Sequence, residues 1–238
     1  MAATELTFLS WNLALLERPA PAPLFWETSN TEAVVRDQVL EVEPDVVLFQ
    51  ELPGLVPFVE THSMVPANPK SHSGNLATLV SNKLATTELA IATVGGCAIL
   101  TTFVDLDLTI ANVHLPSGKG GEADRLMYMA KVIEASPTLP LLIVGDTNMR
   151  VAEADALLKL SFSGDTPPHA TWDSRRNNFR ADAYEFHAYF TRWFASPGVT
   201  VSDVSVHRDP VRHDDTTFFV SDHYALGGRV SLTTSAKE

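Results

Sequence analysis

The order of apolar runs along the chain predicts an α+β fold, built on a mixed sheet or two stacked sheets with flanking helices. Two observations carry this reading. Several strand runs follow one another with only a few helical stretches between them, unlike the strict strand-helix alternation of a doubly wound parallel sheet. The 238 residues, 45% hydrophobic and 19% charged, are too apolar and well mixed for a disordered chain and suffice for one sizeable core. No composition break, linker or internal repeat divides the sequence, so residues 1–238 are expected to form one domain.

Residues 6–13 read as a buried strand, closed by a proline-rich loop at 18–23 that cannot continue a sheet. Asn30 or Thr31 is the expected cap of a helix with apolar Val34, Val35, Val39 and Leu40, and Pro44 stops it. Residues 45–50 are a β-branched run of the kind found inside sheets. After an irregular stretch (57–74), residues 76–81, 98–105 and 108–114 read as an antiparallel meander. Helical spacing through Leu126, Met129, Ala130 and Ile133 predicts a helix over 122–135, followed by a strand at 141–145 and a short helix at 153–160. A polar, arginine-bearing loop (161–180) leads to strands at 189–195, 199–206 and 223–232.

Composition narrows the function. Seventeen Lys and Arg against 29 Asp and Glu leave a formal net charge of −12, which disfavours binding nucleic acid through phosphate neutralisation alone. Clustered carboxylates are, however, what a divalent cation needs, and a bound cation reverses the field locally. Cys97 is the lone cysteine, so neither an internal disulfide nor a thiolate zinc site can form. The N-terminus lacks the pattern of a secretory signal, and no apolar run approaches the ~20 residues of a membrane helix. A soluble, cytoplasmic monomer with no membrane partner is expected.

The informative polar residues sit at strand ends. Trp11 and Asn12 end the first strand, Gln50 and Glu51 the next, Asn112 and His114 another, then Asp146 and Asn148, and Asp222 and His223 open the last. Taken singly, each has a bland explanation, since Asn and Asp after a strand are common turn formers. Glu51 is harder to dismiss, because a carboxylate ending a hydrophobic strand must be hydrated, paired or coordinating a cation. Strand ends converging on one rim make a site.

These residue types permit metal-assisted phosphoryl transfer. Glu51, Asp222 and Asn12 offer hard oxygen ligands suited to Mg²⁺ or Mn²⁺. Asp146 can orient or deprotonate an attacking water, and Asn148, His114 and His223 can stabilise charge on phosphoryl oxygens. No Gly-x-Ser-x-Gly elbow, His-Glu-x-x-His run or Gly-x-x-x-x-Gly-Lys loop is present; 117–121 imitates the last only faintly and reads as a flexible loop.

The runs Ser10-Trp11-Asn12-Leu13, Phe49-Gln50-Glu51-Leu52, Asn112-Val113-His114-Leu115, Gly145-Asp146-Thr147-Asn148 and Ser221-Asp222-His223 resemble, in order and spacing, the endonuclease/exonuclease/phosphatase (deoxyribonuclease-I-like) superfamily. The resemblance spans nearly the whole chain. It implies a four-layer α/β/β/α sandwich with the site at one rim of the paired sheets. It also implies Glu51 as principal metal ligand assisted by Asn12 and Asp222, Asp146 as the acid that positions water, Asn148 and His114 as phosphate contacts, and His223 as the transition-state histidine.

Thr171-Trp172-Asp173-Ser174 resembles a run that lines the substrate groove in tyrosyl-DNA phosphodiesterases of this superfamily. Trp172 can stack on a base or instead anchor its loop, and nearby Arg175, Arg176 and Arg180 can grip phosphate or form a solvated face. Tyr128 lies on a helix that can bring it toward the site, although packing is the commoner use. Phe25 and Trp26 are candidate lid aromatics.

One departure stands out. Members of the superfamily usually carry an Asp in the strand before the final Asp-His, where it pairs with the histidine; Thr191 occupies that position here. Asp203, Asp214 or Asp215 are candidate replacements, and Asp182 lies in a weaker competing match.

The leading expectation is a Mg²⁺- or Mn²⁺-dependent phosphoesterase that hydrolyses phosphodiesters, most plausibly in nucleic acid. The alternatives are a phosphatase or phosphodiesterase for a small phosphorylated metabolite, nucleotide or lipid head group, and a non-catalytic relative that binds a partner through the same rim. Failure to cleave any nucleic acid or bis(p-nitrophenyl) phosphate would sink the first. A phosphate-release screen separates the second, and activity that survives Glu51→Ala and Asp146→Ala would favour the third.

Overall fold

A computed structural model describes residues 5–54, 59–65, 70–71, 74–136, 140–180 and 185–232. In chain order its elements are β1 (Glu5–Asn12), α1 (Thr28–Val42), β2 (Val46–Leu52), β3 (His62–Met64), β4 (Lys70–Ser71), β5 (Gly74–Ser81), β6 (Leu89–Val94), β7 (Ala98–Phe103), β8 (Leu108–His114), α2 (Glu122–Ala135), β9 (Leu141–Asp146), α3 (Val151–Leu158), β10 (Trp172–Asp173), β11 (His187–Ala188), β12 (Thr191–Ala195), β13 (Val199–His207), β14 (Val211–His213), β15 (Thr216–Phe218) and β16 (Ala225–Leu232).

The strands form two large mixed sheets. The first runs β13-β16-β1-β2-β5-β3, with β4 also on β5, and the second runs β12-β9-β8-β7-β6. Each holds one parallel pair, β1 with β2 and β8 with β9, among antiparallel neighbours. Strand alternation sends one set of side chains between the sheets, among them Phe8, Leu48, Ile110 and Val144. The opposite set meets helices. Val47 and Phe49 pack on Val35 and Val39 of α1, while Val113 and Ile143 pack with Met129 and Val132 of α2 and Leu157 of α3. The result is the expected four-layer α/β/β/α sandwich, with each fully buried aliphatic or Phe side chain contributing about 1.5–3 kcal/mol.

Gly145 shows how closely β9 must approach β8. Its φ is +151°, and a Cβ there would sit 2.1 Å from the Val113 carbonyl oxygen, so a side chain would separate the parallel pair.

Several local expectations are corrected. α1 begins at Thr28 with Glu27 as its N-cap, and Asn30 is the residue that closes a reciprocal capping box by accepting from the Glu27 amide at 2.9 Å. Thr31 lies inside the helix, where its hydroxyl accepts from Trp26 Nε1 at 2.9 Å. The meander is β6-β7-β8; β5 belongs to the other sheet. β6 escaped notice because it is an edge strand whose residues are mostly exposed or half-buried, so it lacks a continuous apolar run. Trp26 is buried with its ring edge-on to Phe218, so it is core packing rather than a lid, whereas Phe25 is exposed.

Candidate active site

The space between the sheets changes character toward one end. Phe8, Leu48, Ile110 and Val144 are apolar. Next along the same inward faces come Ser10, Gln50 and Asn112, which cross-link the sheets: Gln50 Nε2 donates to Ser10 Oγ at 3.2 Å and Asn112 Oδ1 at 2.8 Å, and Asn112 Nδ2 donates to the Ala77 carbonyl at 2.9 Å. Asn112 is therefore a staple beneath the rim and not part of it. The last inward positions are Asn12, His114 and Asp146, all at most 5% exposed.

Alternation alone would turn Glu51 to the helical side, since Phe49 faces α1. Instead the β2–β5 register shifts between Phe49 and Leu52, and Glu51 takes φ +54°. That bulge brings its carboxylate to 3.5 Å from His114 Nε2. A left-handed conformation in a non-glycine residue is strained, and strain held at a rim of ionisable groups is a mark of function.

Asp146 is oriented at both oxygens. Oδ2 accepts from Asn12 Nδ2 at 2.9 Å, and Oδ1 accepts from the Asn148 amide at 3.1 Å. Asn12 Oδ1 in turn accepts from the Ala14 amide at 3.0 Å, so Asn12 acts on Asp146 as a positioning group rather than turning its oxygen outward as a ligand. The Asn148 side chain donates to the Leu115 carbonyl at 3.0 Å, which ties its loop to the end of β8.

His223 arrives on a different segment and is held through its backbone. Its carbonyl accepts from Trp11 Nε1 at 2.9 Å, its amide donates to Ser221 Oγ at 3.0 Å, and it bridges to Trp172. Nε2 lies 3.8 Å from Asp146 Oδ2. Thr191, directly across from Asp146 in the β9–β12 pairing, leaves its buried hydroxyl without a hydrogen-bond partner among the described residues. The Nδ1 of His223 is likewise buried and without one. The candidate substitutes do not supply it: Asp203 pairs with Arg229 at 3.1 Å and Asp214 with His213 at 3.3 Å. Asp215 is exposed, and Asp182 lies outside the described residues.

Asp222, expected as an assisting ligand, has a cationic partner instead of a free carboxylate. Its carboxylate pairs with Arg180 Nε at 2.8 Å, and this hydrogen bond, the largest influence on Arg180, holds the guanidinium pKa above its usual value. Trp172, Asn177, Arg180 and Asp222 line one cleft beside His223. The Trp172 ring packs with Phe186 and Phe190 at 5.6 and 6.2 Å, and Phe190 lies 6.3 Å from the His223 ring. Arg176 is exposed and lines a cavity of about 320 Å³ with Arg208, Phe219 and Tyr224. Burial pushes the Tyr224 hydroxyl up to about 12, so it stays protonated. Arg175 is exposed, its amide bonded to Asp173. Tyr128 sits in the outer helical layer, against Gly95 and under Lys131, in a packing role.

Two contributors were missed from sequence. Arg150 stacks its guanidinium over Phe190 at 4.6 Å, and Asn177 donates to the Ser221 carbonyl at 2.8 Å, fixing the Asp222-His223 turn. Only the position of Arg150 immediately after the Asp146 loop hinted at the first. Nothing local hinted at the second.

Ligand atoms of Glu51, His114 and Asp146 all lie within 4.8 Å of one another. Two carboxylates and an imidazole fit a divalent cation such as Mg²⁺ or Mn²⁺, Mn²⁺ tolerating the nitrogen ligand more readily. Among the described residues no lysine or arginine pairs with Asp146, so its charge is positioned without a fixed counter-cation.

Comparison with known proteins agrees with this geometry. The model of the endonuclease/exonuclease/phosphatase family matches residues 9–223. Among solved structures, D. rerio TDP2 in complex with a single-stranded DNA product superposes with a TM-score of 0.71 at 19% identity, covering 95% of this chain and 99% of that one. An endonuclease/exonuclease/phosphatase family protein of Bacteroides thetaiotaomicron gives 0.70 at 15% identity over 98% and 100%. The mannosyl-6-phosphatase Bt3783 of the same organism gives 0.65 at 16% over 94% and 99%. At these identities the likeness is one of fold. No curated protein sequence matches significantly. With the family model spanning every rim residue from Asn12 to His223, the chain belongs to the endonuclease/exonuclease/phosphatase family and is a metal-dependent phosphoesterase.

Proposed function

We propose that the enzyme hydrolyses phosphodiester bonds in nucleic acid, acting on strand ends with Mg²⁺ or Mn²⁺. The observation that carries this reading is the aromatic wall of Trp172, Phe186 and Phe190 beside His223, a surface on which a base or aromatic group can stack. TDP2, which shares the fold, was captured with a single-stranded DNA product. The net charge of −12 fits a small footprint on the strand better than a long one.

Asp146 is the group to orient the attacking water and accept its proton, because both its oxygens are fixed by neutral donors. His223 presents Nε2 toward the same carboxylate, where it can donate to a phosphoryl oxygen as charge develops, while His114 Nε2 faces Glu51 and Asp146 as a ligand. A divalent cation held by Glu51, Asp146 and His114 supplies Lewis acidity when bound. Trp172 and Arg150, both packed on Phe190, would flank a substrate stacked beside His223.

The test is cleavage of end-labelled single- and double-stranded DNA, RNA and bis(p-nitrophenyl) phosphate, with Mg²⁺ or Mn²⁺. Turnover is expected to be fastest on single-stranded DNA ends, and no turnover of any polynucleotide overturns the reading. A second reading, a phosphatase for a small phosphorylated molecule, draws on the shared fold of the mannosyl-6-phosphatase and on the acidic surface. A phosphate-release screen in which a sugar phosphate or nucleotide far outruns DNA would establish it.

A further inference from the structure

Outside the catalytic rim, Arg192 presents a problem of buried charge. It sits on β12 between Thr191 and Trp193, and alternation turns it, like Phe194, to the outer face where α3 packs. Only 6% of it is exposed. The arginines with carboxylate partners among the described residues are Arg36, Arg125, Arg180 and Arg229. Arg192 is not one of them, and its buried Nε has no hydrogen-bond acceptor there. Its guanidinium lies over the ring of Tyr189, 5.9 Å from the ring centre. Burial depresses the guanidinium pKa, and Asp155 only partly opposes this. A cation so placed is costly unless an anion joins it.

The space for one is present. Arg192 lines a cavity of about 110 Å³ between α3 and residues 164–166. Val151, Ala154, Leu158 and Phe194 give it an apolar wall, while Asp155 and Asp165 line it from exposed positions. None of these residues belongs to the catalytic rim.

We infer that this cavity is a second ligand site, which takes a small aliphatic carboxylate with its oxygens on the Arg192 guanidinium and its hydrocarbon body against the α3 wall. The planar guanidinium fork matches a carboxylate, and the apolar wall suits a short branched chain. The two aspartates repel a phosphate dianion more strongly than a singly charged carboxylate, and they favour an ammonium group on the same ligand. The chemistry is therefore that of a free short-chain acid or of an aliphatic amino acid. This inference does not depend on which phosphoester the catalytic rim cleaves.

Calorimetric titration of the full chain with isovalerate, L-leucine and inorganic phosphate tests it. One-to-one binding of isovalerate or L-leucine is expected, weakened at least about tenfold in Arg192→Met, as loss of a charge-assisted hydrogen bond predicts. Tighter binding of L-leucine that Asp155→Asn abolishes identifies an amino-acid ligand; binding of isovalerate at least as tight identifies a simple acid. Arg192→Lys, which keeps the charge and loses the fork, should also weaken binding and serves if Arg192→Met fails to fold. The inference is overturned if neither carboxylate binds, if the Arg192 variants bind them as the wild type does, or if phosphate binds the cavity more tightly than both.

Discussion

Asp146 and Glu153 flank the turn between β9 and α3 and are equally hidden, at 1% and 3% exposure, yet they are held in opposite ways. Glu153 accepts from Arg125 at both oxygens, from Nε at 2.6 Å and Nη2 at 2.7 Å. Arg125 is itself 0% exposed and spends Nη1 on the carbonyls of Pro116 and Gly118. That pair is neutral and joins α2 to α3. Asp146 is bonded by the neutral donors Asn12 and the Asn148 amide. The charge of Glu153 is neutralised where it lies; that of Asp146 is oriented by neutral donors, with no lysine or arginine paired to it among the described residues.

The widest separation should come from removing each charge. Asp146→Asn is expected to lower kcat by about 10²–10⁴-fold while costing about 1–3 kcal/mol of stability, for the one buried donor its amide leaves without an acceptor. Glu153→Gln is expected to cost about 3–5 kcal/mol in urea unfolding, because Arg125 is left buried without its counter-charge. If Asp146→Asn proved the more destabilising of the two while retaining activity, the contrast would be wrong.

Metal addition sharpens the same contrast. Mg²⁺ at 100 times its dissociation constant should stabilise the wild type by about 2.7 kcal/mol. Chelation should reverse the gain, and Glu51→Gln should abolish it, whereas any Glu153→Gln protein that folds should still show it. Thermal unfolding with and without Mg²⁺ reads all three.

Acid titration isolates the structural pair. Burial works to raise the Glu153 carboxyl, but the hydrogen bonds and charge of Arg125 prevail and hold it below its ordinary value of 4.5. A depressed folded-state pKa contributes stability that is present above the unfolded value and lost as pH falls through the folded one. Wild-type stability should therefore fall steeply below about pH 4.5, and Arg125→Met should flatten that fall. An unchanged slope would mean that the acid sensitivity arises elsewhere.

How much of this could be read in advance follows from geometry. Asn12, His114 and Asp146 were legible because each ends an apolar strand at an inward position, where a polar residue has no place in a core. Asn112 shares that face with His114 but lies one pair deeper, and sequence cannot distinguish a rim from a staple. The turn of Glu51 into the rim depends on a bulge that breaks strict alternation, so its importance was readable and its direction was not. Asp222 looked like a ligand; that Arg180 captures it depends on how two loops meet, which no local pattern encodes.

The smallest effect concerns the partner facing Asp146 across β9 and β12. Thr191 buries a hydroxyl that makes no hydrogen bond among the described residues, and the Nδ1 of His223, whose ring faces the same Asp146, is equally unmatched. Replacing an unsatisfied hydroxyl by an isosteric methyl removes a desolvation penalty, so Thr191→Val should raise stability by about 1 kcal/mol and leave kcat within about twofold. His223 would then be held by its backbone bonds to Trp11 and Ser221, its bridge to Trp172 and the packing of Phe190. A fall in kcat of about tenfold with KM unchanged would instead mean that the Thr191 hydroxyl, through a buried water, sets the orientation of the ring. In that case His223 would be positioned by a side chain, as Asp146 is, and their present difference would vanish.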